Sequence, residues 1–233
     1  GYHPDSETGL ITVDGWAFKD MAGDGKLYPF MDWRLDADTR AADLASRLST
    51  EQLAALMISS VVAPAKGTPK DQILWANGLQ ASAEKNHPFG VPVNVIADSE
   101  ADYLTSWPKG LALASTFDAE LAAKSASAMS KEMRALGIHT YLGPMADLAT
   151  EPRWYRASDT FGEDPALARD LTKATVNALQ STEDQNGTDL GWGSQSVNAI
   201  MTHWPGAGPS EGGRAGSRWW GAYNVYPGGQ FET

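Results

Sequence analysis

The sequence contains no cysteine. Disulfides, thiol nucleophiles and cysteine-ligated metals are therefore excluded, and the redox compartment is left open. Positive charge is scarce: 18 Lys and Arg face 29 Asp and Glu, a net charge of −11 over 233 residues. A nucleic-acid binder needs a basic face to displace counterions from phosphates, and an anionic membrane attracts that same sign. Neither partner is expected. Long apolar runs are missing too; none approaches the roughly 18 residues that a bilayer-spanning helix needs. Histidine occurs four times, at His3, His87, His139 and His203, with no HExxH pair and no metal-ligand spacing, so no metal is expected. Nor does DGWAFKDMAGDGK (14–26) keep the alternating acidic register and closing glutamate of an EF-hand. A GxxxxGK[ST] phosphate loop is absent, and GAGPSEGG (206–213) lacks the strand–turn–helix setting and ribose-binding acid of a dinucleotide site. No cofactor is expected. No charged segment followed by an apolar one opens the chain at Gly1, so any export signal is expected to have been removed already or never to have existed.

What the chain does have is enough apolar material, 42%, to build a core, and nine tryptophans. A tryptophan pairs a flat apolar face with a polar edge, which suits either core packing or stacking on a sugar ring. Residues 1–35 are turn-rich and read as an arm or loops. DADTRAADLASRLSTEQLAALM predicts two short helices, the second capped by Ser49 with Gln52 in capping-box position. MISSVV (57–62) predicts a buried strand. A loop with a short helical piece near 69–84 leads to a second buried strand, VPVNVI (91–96), closed by Asp98-Ser99-Glu100. An amphipathic helix is expected over 117–137, with Asp118 in its first turn and Gly137 at its end. HTYLGP (139–144) predicts a third strand, Pro165 to about Thr182 a helix, and SVNAIMTHW (196–204) a fourth strand. Residues 183–195 read as a surface loop. Strands alternating with helices of this length imply βαβ units, a parallel sheet and hence the α/β class.

In such folds function gathers just past the C-terminal strand ends. Asp98, the EPRWYR loop (151–156) and Thr202-His203 all fall there. Asp98, expected to be buried, either caps the following turn or accepts hydrogen bonds from sugar hydroxyls. Arg153 and Arg156 either pair with Glu163 or Asp164 or offer a rigid fork of donors to a ligand. His203 is either a satisfied packing residue or a ligand-binding one.

Taken together, IADSE, EPRWYR followed by FGEDP, and THWPGAGPSEGGR followed by YNVYPGGQFE resemble glycoside hydrolase family 3 over about 35–233. The resemblance implies a (β/α)8 TIM-barrel-like domain, incomplete in this chain, with residues 36–233 forming the N-terminal part of the barrel. It implies a glycoside hydrolase that acts on terminal β-linked sugars with retention. Asp98, Arg156, Thr202 and His203 match positions that bind hydroxyls of the sugar in subsite −1. Four positions depart from the family pattern: its lysine before the histidine is Thr202, its glycine in RWGR is Tyr155, and two aspartates are Ala207 and Ala215.

A retaining glycosidase needs two carboxyl groups roughly 5–5.5 Å apart. The resemblance places the nucleophilic Asp and the acid/base beyond Thr233, so this chain is expected to contain no catalytic residue. A carbohydrate substrate and the remaining C-terminal polypeptide, as a second chain, are the expected partners, and a secreted or periplasmic location follows from the same resemblance. The alternative is a catalytically silent carbohydrate-binding protein derived from the same fold.

Overall fold

A computed structural model describes residues 8–98, 100–203, 206–208 and 210–214. Its elements run β1 (Leu10–Val13), β2 (Trp16–Lys19), α1 (Ala37–Arg47), α2 (Thr50–Leu56), β3 (Ser60–Val62), α3 (Pro69–Asn86), β4 (Asn94–Ala97), α4 (Gly110–Ala114), α5 (Ala119–Ala135), β5 (Thr140–Tyr141), α6 (Pro165–Gln180) and β6 (Asn198–Ala199). The chain divides into two compact units, Gly1–Val61 with Ile73–Asn94, and Val62–Gln72 with Val95–Thr233.

The first unit opens with a hairpin. β1 and β2 pair antiparallel with Val13 opposite Trp16, joined by Asp14-Gly15, both at positive φ (51° and 79°). An Asp-Gly pair of that geometry matches the right-handed twist of the flanking strands. Beneath the hairpin, Ile11, Phe30 and Met31 form a small core with Val13, Leu44 and Phe89 packed on it. Asp36 caps α1 by accepting from Thr39 N–H, and the Ser49/Gln52 capping box starts α2 as the spacing predicts.

The strands β3, β4, β5 and β6 lie in one sheet in chain order, with β4–β5 and β5–β6 parallel. In the second unit Val95, Ile138 and Val197 are completely buried around these strands. α5 buries Ala122, Ala126, Met129 and Met133, one stripe at helical spacing, and α6 buries Ala168, Leu171, Thr175 and Leu179. These helices pack together, and Phe161 with Ala114 completes the cluster. Asp118 is the N-cap of α5 rather than a residue of its first turn, accepting from Leu121 N–H, and Gly137 follows the helix at φ 76°.

Three sequence expectations change. The 57–62 segment is a strand only over 60–62: Met57 and Ile58 precede it and are exposed, and in β3 itself Val62 is 61% accessible, because β3 lies at the sheet edge with its side chains uncovered by the described residues. The helical piece near 69–84 is a full 18-residue helix. The strands at 139–144 and 196–204 contract to two paired residues each, the flanking residues being held by single backbone hydrogen bonds instead.

Candidate sugar-binding cleft

The cleft lies in the second unit, past the C-terminal end of β4, with a volume of about 540 Å³. Asp98 follows β4 directly and lines it. It is exposed rather than buried, because the backbone steps out of the sheet after Ala97. Its Oδ1 accepts from Glu100 N–H at 3.2 Å, so the turn-capping role is present while the other carboxylate oxygen stays available to the cleft.

Arg156 lines the same cleft from the loop after β5. Its Nε donates to Asp159 Oδ2 at 3.1 Å, and Lys109 Nζ donates to Asp159 Oδ1 at 2.8 Å and pairs with Glu100 Oε1 at 2.9 Å. Burial works to raise the Asp159 pKa, but hydrogen bonds from Lys109 and Arg156 outweigh it and hold the carboxyl below its ordinary value. Those same carboxylates raise Lys109 above the ordinary lysine range. Gly110 makes this junction possible: a Cβ there would fall on Asp159 O and within 2.8 Å of Thr160 O, so only glycine lets α4 approach the turn at 157–159.

Arg153 has a different partner from the one expected. Glu151 takes it, with Nε on Oε1 at 2.8 Å and Nη2 on Oε2 at 2.7 Å, rather than Glu163 or Asp164, because Glu151 is only two residues away on the same turn. This pair holds Glu151 down at about 2. Between the two arginines Trp154 is buried and Tyr155 is exposed.

Thr202 and His203 form a second group at the neighbouring strand end. Thr202 is locked by its backbone, its N–H donating to Pro144 O and its carbonyl accepting from Ala146 N–H, which brings it beside Met145, a cleft-lining residue. His203 is anchored on Asp147, whose completely buried carboxylate accepts from the His203 backbone N–H at 3.0 Å, from Nδ1 at 2.9 Å, and from Ala207 N–H. A carboxylate partner requires the proton on Nδ1, which leaves Nε2 as the ring's outward group. The structure therefore brings Asp98 and Arg156 to one cleft and places Thr202 and His203 beside it at the adjoining strand end. Ala207 joins the Asp147 cradle; Ala215 lies outside the described residues.

Asp147, Asp159 and Lys109 escape sequence reasoning. Asp147 stands in MADLAT with no pattern around it; the only available signal was its place a few residues past a predicted strand. No group of three or more metal-ligating side chains occurs among the described residues.

The strands β4, β5 and β6 form a parallel α/β sheet with a polar cleft past their C-terminal ends, the place where such folds hold ligands. Residues 31–218 match the profile of the glycosyl hydrolase family 3 N-terminal domain, and the chain belongs to that family. It is 34% identical to a periplasmic β-glucosidase/β-xylosidase of Dickeya chrysanthemi over 93% of this chain and 38% of that protein. It is 32% identical to β-glucosidase C of Emericella nidulans over 66% of this chain and 24% of that protein. Among solved structures, a β-glucosidase from Erythrobacter marinus superposes with a TM-score of 0.69 at 24% identity, covering 80% of this chain and 28% of that one. The glucose complex of a Listeria innocua β-glucosidase matches with a TM-score of 0.55 at 29% identity, covering 76% of this chain and 23% of that one. The chain spans less than two fifths of the length of any of these proteins.

Proposed function

We propose that this chain supplies the sugar-binding floor of subsite −1 in an exo-acting, retaining β-glycosidase, with Asp98, Arg156, Thr202 and His203 facing the terminal sugar. The observation that carries this reading is the convergence of Asp98 and Arg156 on one cleft at the C-terminal strand ends. The four strands of the sheet, ordered as in the chain, are the first part of a (β/α)8 barrel, formed by residues 36–233 after an N-terminal arm of residues 1–35, and polypeptide beyond Thr233 brings the nucleophile and the acid/base. An ionised carboxylate accepts from sugar hydroxyls, and the arginine donates to them. Such bonds tighten as positive charge develops on the ring, which places part of their effect in kcat. Export to the periplasm or the medium fits the likeness to the periplasmic enzyme of Dickeya chrysanthemi.

The test uses the complete protein, this chain with whatever polypeptide its gene places after it, against a panel of nitrophenyl β-glycosides. NMR of the first-formed anomer reads the stereochemistry. Turnover with retained β-configuration supports the proposal. An inverted product, or sugar binding without hydrolysis of any glycoside, refutes it, and the latter outcome favours the silent carbohydrate-binding alternative.

A further inference from the structure

Six charged side chains line the cleft: Asp98, Glu100, Asp102 and Asp159 against Lys109 and Arg156. Both cations rest on one carboxylate, Asp159, and they divide its oxygens between them, Lys109 on Oδ1 and Arg156 Nε on Oδ2. No other side-chain hydrogen bond of Arg156 is made among the described residues, so its two terminal nitrogens remain unengaged there.

Of the four other arginines paired with a carboxylate among the described residues, none meets a competing lysine; three grip both oxygens, and the fourth, Arg169, sets Nε and Nη2 on Asp170 Oδ1 alone. Arg34 grips Asp32 with Nε on one oxygen and Nη2 on the other, at 2.8 and 2.6 Å. Arg47 holds Asp43 in the same way, at 2.9 Å for both bonds. Arg153 does so on Glu151. That side-on, two-bond pairing is a favoured geometry for a guanidinium when both carboxylate oxygens are open to it. Arg156 departs from it, and Lys109 occupies the oxygen that the second bond would need.

The Lys109 side chain has no role in holding its helix; only the backbone carbonyl does, accepting from Ala112 and Leu113 N–H. It stands at the N-cap of α4 and makes no capping hydrogen bond, and lysine offers no acceptor for one. What its position provides is reach to Asp159, secured by the close approach that Gly110 allows.

We propose that Lys109 is a positioning residue for sugar binding: by occupying Asp159 Oδ1 it keeps Arg156 in a single-bond pairing and leaves the guanidinium's terminal N–H groups to the ligand. This rests on the reading of the cleft as a sugar site, and it deepens that reading by giving the cleft a residue that acts through another.

The test is a double-mutant cycle on the complete protein, joined to a crystal structure of the Lys109→Met variant. Lys109→Met is expected to lower kcat/KM at least about tenfold in the native background and by less than about twofold in Arg156→Ala, since coupled residues are not additive. Lys109→Arg, which still fills the Oδ1 position, is expected to stay within about threefold of the unmodified enzyme. In the crystal structure Arg156 is expected to pair with Asp159 through both Nε and a terminal nitrogen. Unchanged single-bond pairing in Lys109→Met overturns the proposal, whatever the protein hydrolyses; so do fully multiplicative effects in the cycle. If the complete protein binds methyl β-D-glucoside without hydrolysing any glycoside, the reading of the site as catalytic fails separately, and the same cycle is read in Kd. Should Lys109→Met not fold, the contrast of Lys109→Arg with Lys109→Gln carries the same comparison, equal parameters for the two overturning the proposal.

Discussion

Replacing Asp147 by asparagine removes one acceptor oxygen and adds two donors in a site with no room for them. The wild-type carboxylate is completely buried and takes three N–H groups: the His203 backbone, His203 Nδ1 and the Ala207 backbone. Asparagine can still accept from Ala207 N–H with its single oxygen. Its amide then faces two former donors. The imidazole can respond by moving its proton to Nε2 and accepting at Nδ1, but a backbone N–H cannot invert, so the His203 N–H is orphaned. Losing a charge-assisted bond costs roughly 1.5–3 kcal/mol and an orphaned donor about 1–3, giving about 4 kcal/mol in total. For a domain of this size each kcal/mol moves the midpoint by about 2–4 °C, so a fall of about 8–16 °C is expected. Calorimetry of the complete protein reads the midpoint, and nitrogen-15 NMR of His203 at pH 8 reads the tautomer. A drop under about 3 °C, or a proton still on Nδ1, would refute the assignment of Asp147 as the group that orients His203.

Other perturbations test the cleft from different sides. Asp98→Ala in the complete enzyme is expected to lower kcat by about 30- to 1,000-fold, the equivalent of roughly 2–4 kcal/mol for a charged hydrogen bond that tightens in the transition state; unchanged kcat in steady-state kinetics would contradict it. Gly110→Ala places a methyl group on Asp159 O and within 2.8 Å of Thr160 O, so α4 must move; a loss of about 1–3 kcal/mol in denaturant unfolding is expected, and a neutral result would refute the close approach. Glu151, held at about 2 by Arg153, has its folded pKa depressed. The stability it adds is therefore full above its ordinary 4.5 and disappears as the pH falls through about 2. Its carboxyl carbon resonance should titrate near that value and move upward in Arg153→Ala; a titration near 4.5 in the native protein would exclude the pair.

The legible parts of this chain are those written in local chemistry. Asp36, Ser49 with Gln52 and Asp164 before Pro165 each start a helix where the sequence says, and Asp118 caps one that begins just inside its expected span, because a cap needs only residues within one turn of it. Asp98 and Arg156 stand out in the sequence because they follow apolar strands, and both line the cleft. Burial was less legible. MISSVV is as apolar as VPVNVI, but only the latter lies between neighbouring strands, and strand order is a tertiary fact. The hairpin at 10–19 is concealed in a turn-rich segment whose Asp14-Gly15 pair carries the signal. Asp147 and Lys109 carry little sequence signal, since His203 and Asp159, the groups they hold, lie 56 and 50 residues away.

The charge arrangement of the cleft bears on what it can hold. Four carboxylates and two cations line it, and one of those carboxylates, Asp159, is shared by both cations. An anionic ligand would meet a net negative wall of four carboxylates against two cations. A neutral polyol meets no such penalty: its hydroxyls donate to Asp98 and accept from the guanidinium, and neither contact requires a charge to be buried unpaired. A cationic ligand would be attracted, but it would compete with Lys109 for Glu100 and Asp159, which that lysine already neutralises at 2.9 and 2.8 Å. Thr202 brings no charge to the adjoining strand end, so it neither offsets the carboxylates nor adds a second long donor. On the proposed reading of the cleft as a sugar site, this balance suits an uncharged sugar whose hydroxyls would meet carboxylate and guanidinium on one wall, and it disfavours a uronic acid, because exchanging a neutral substituent for a carboxylate near this set of charges costs affinity at any pH where the acids are ionised.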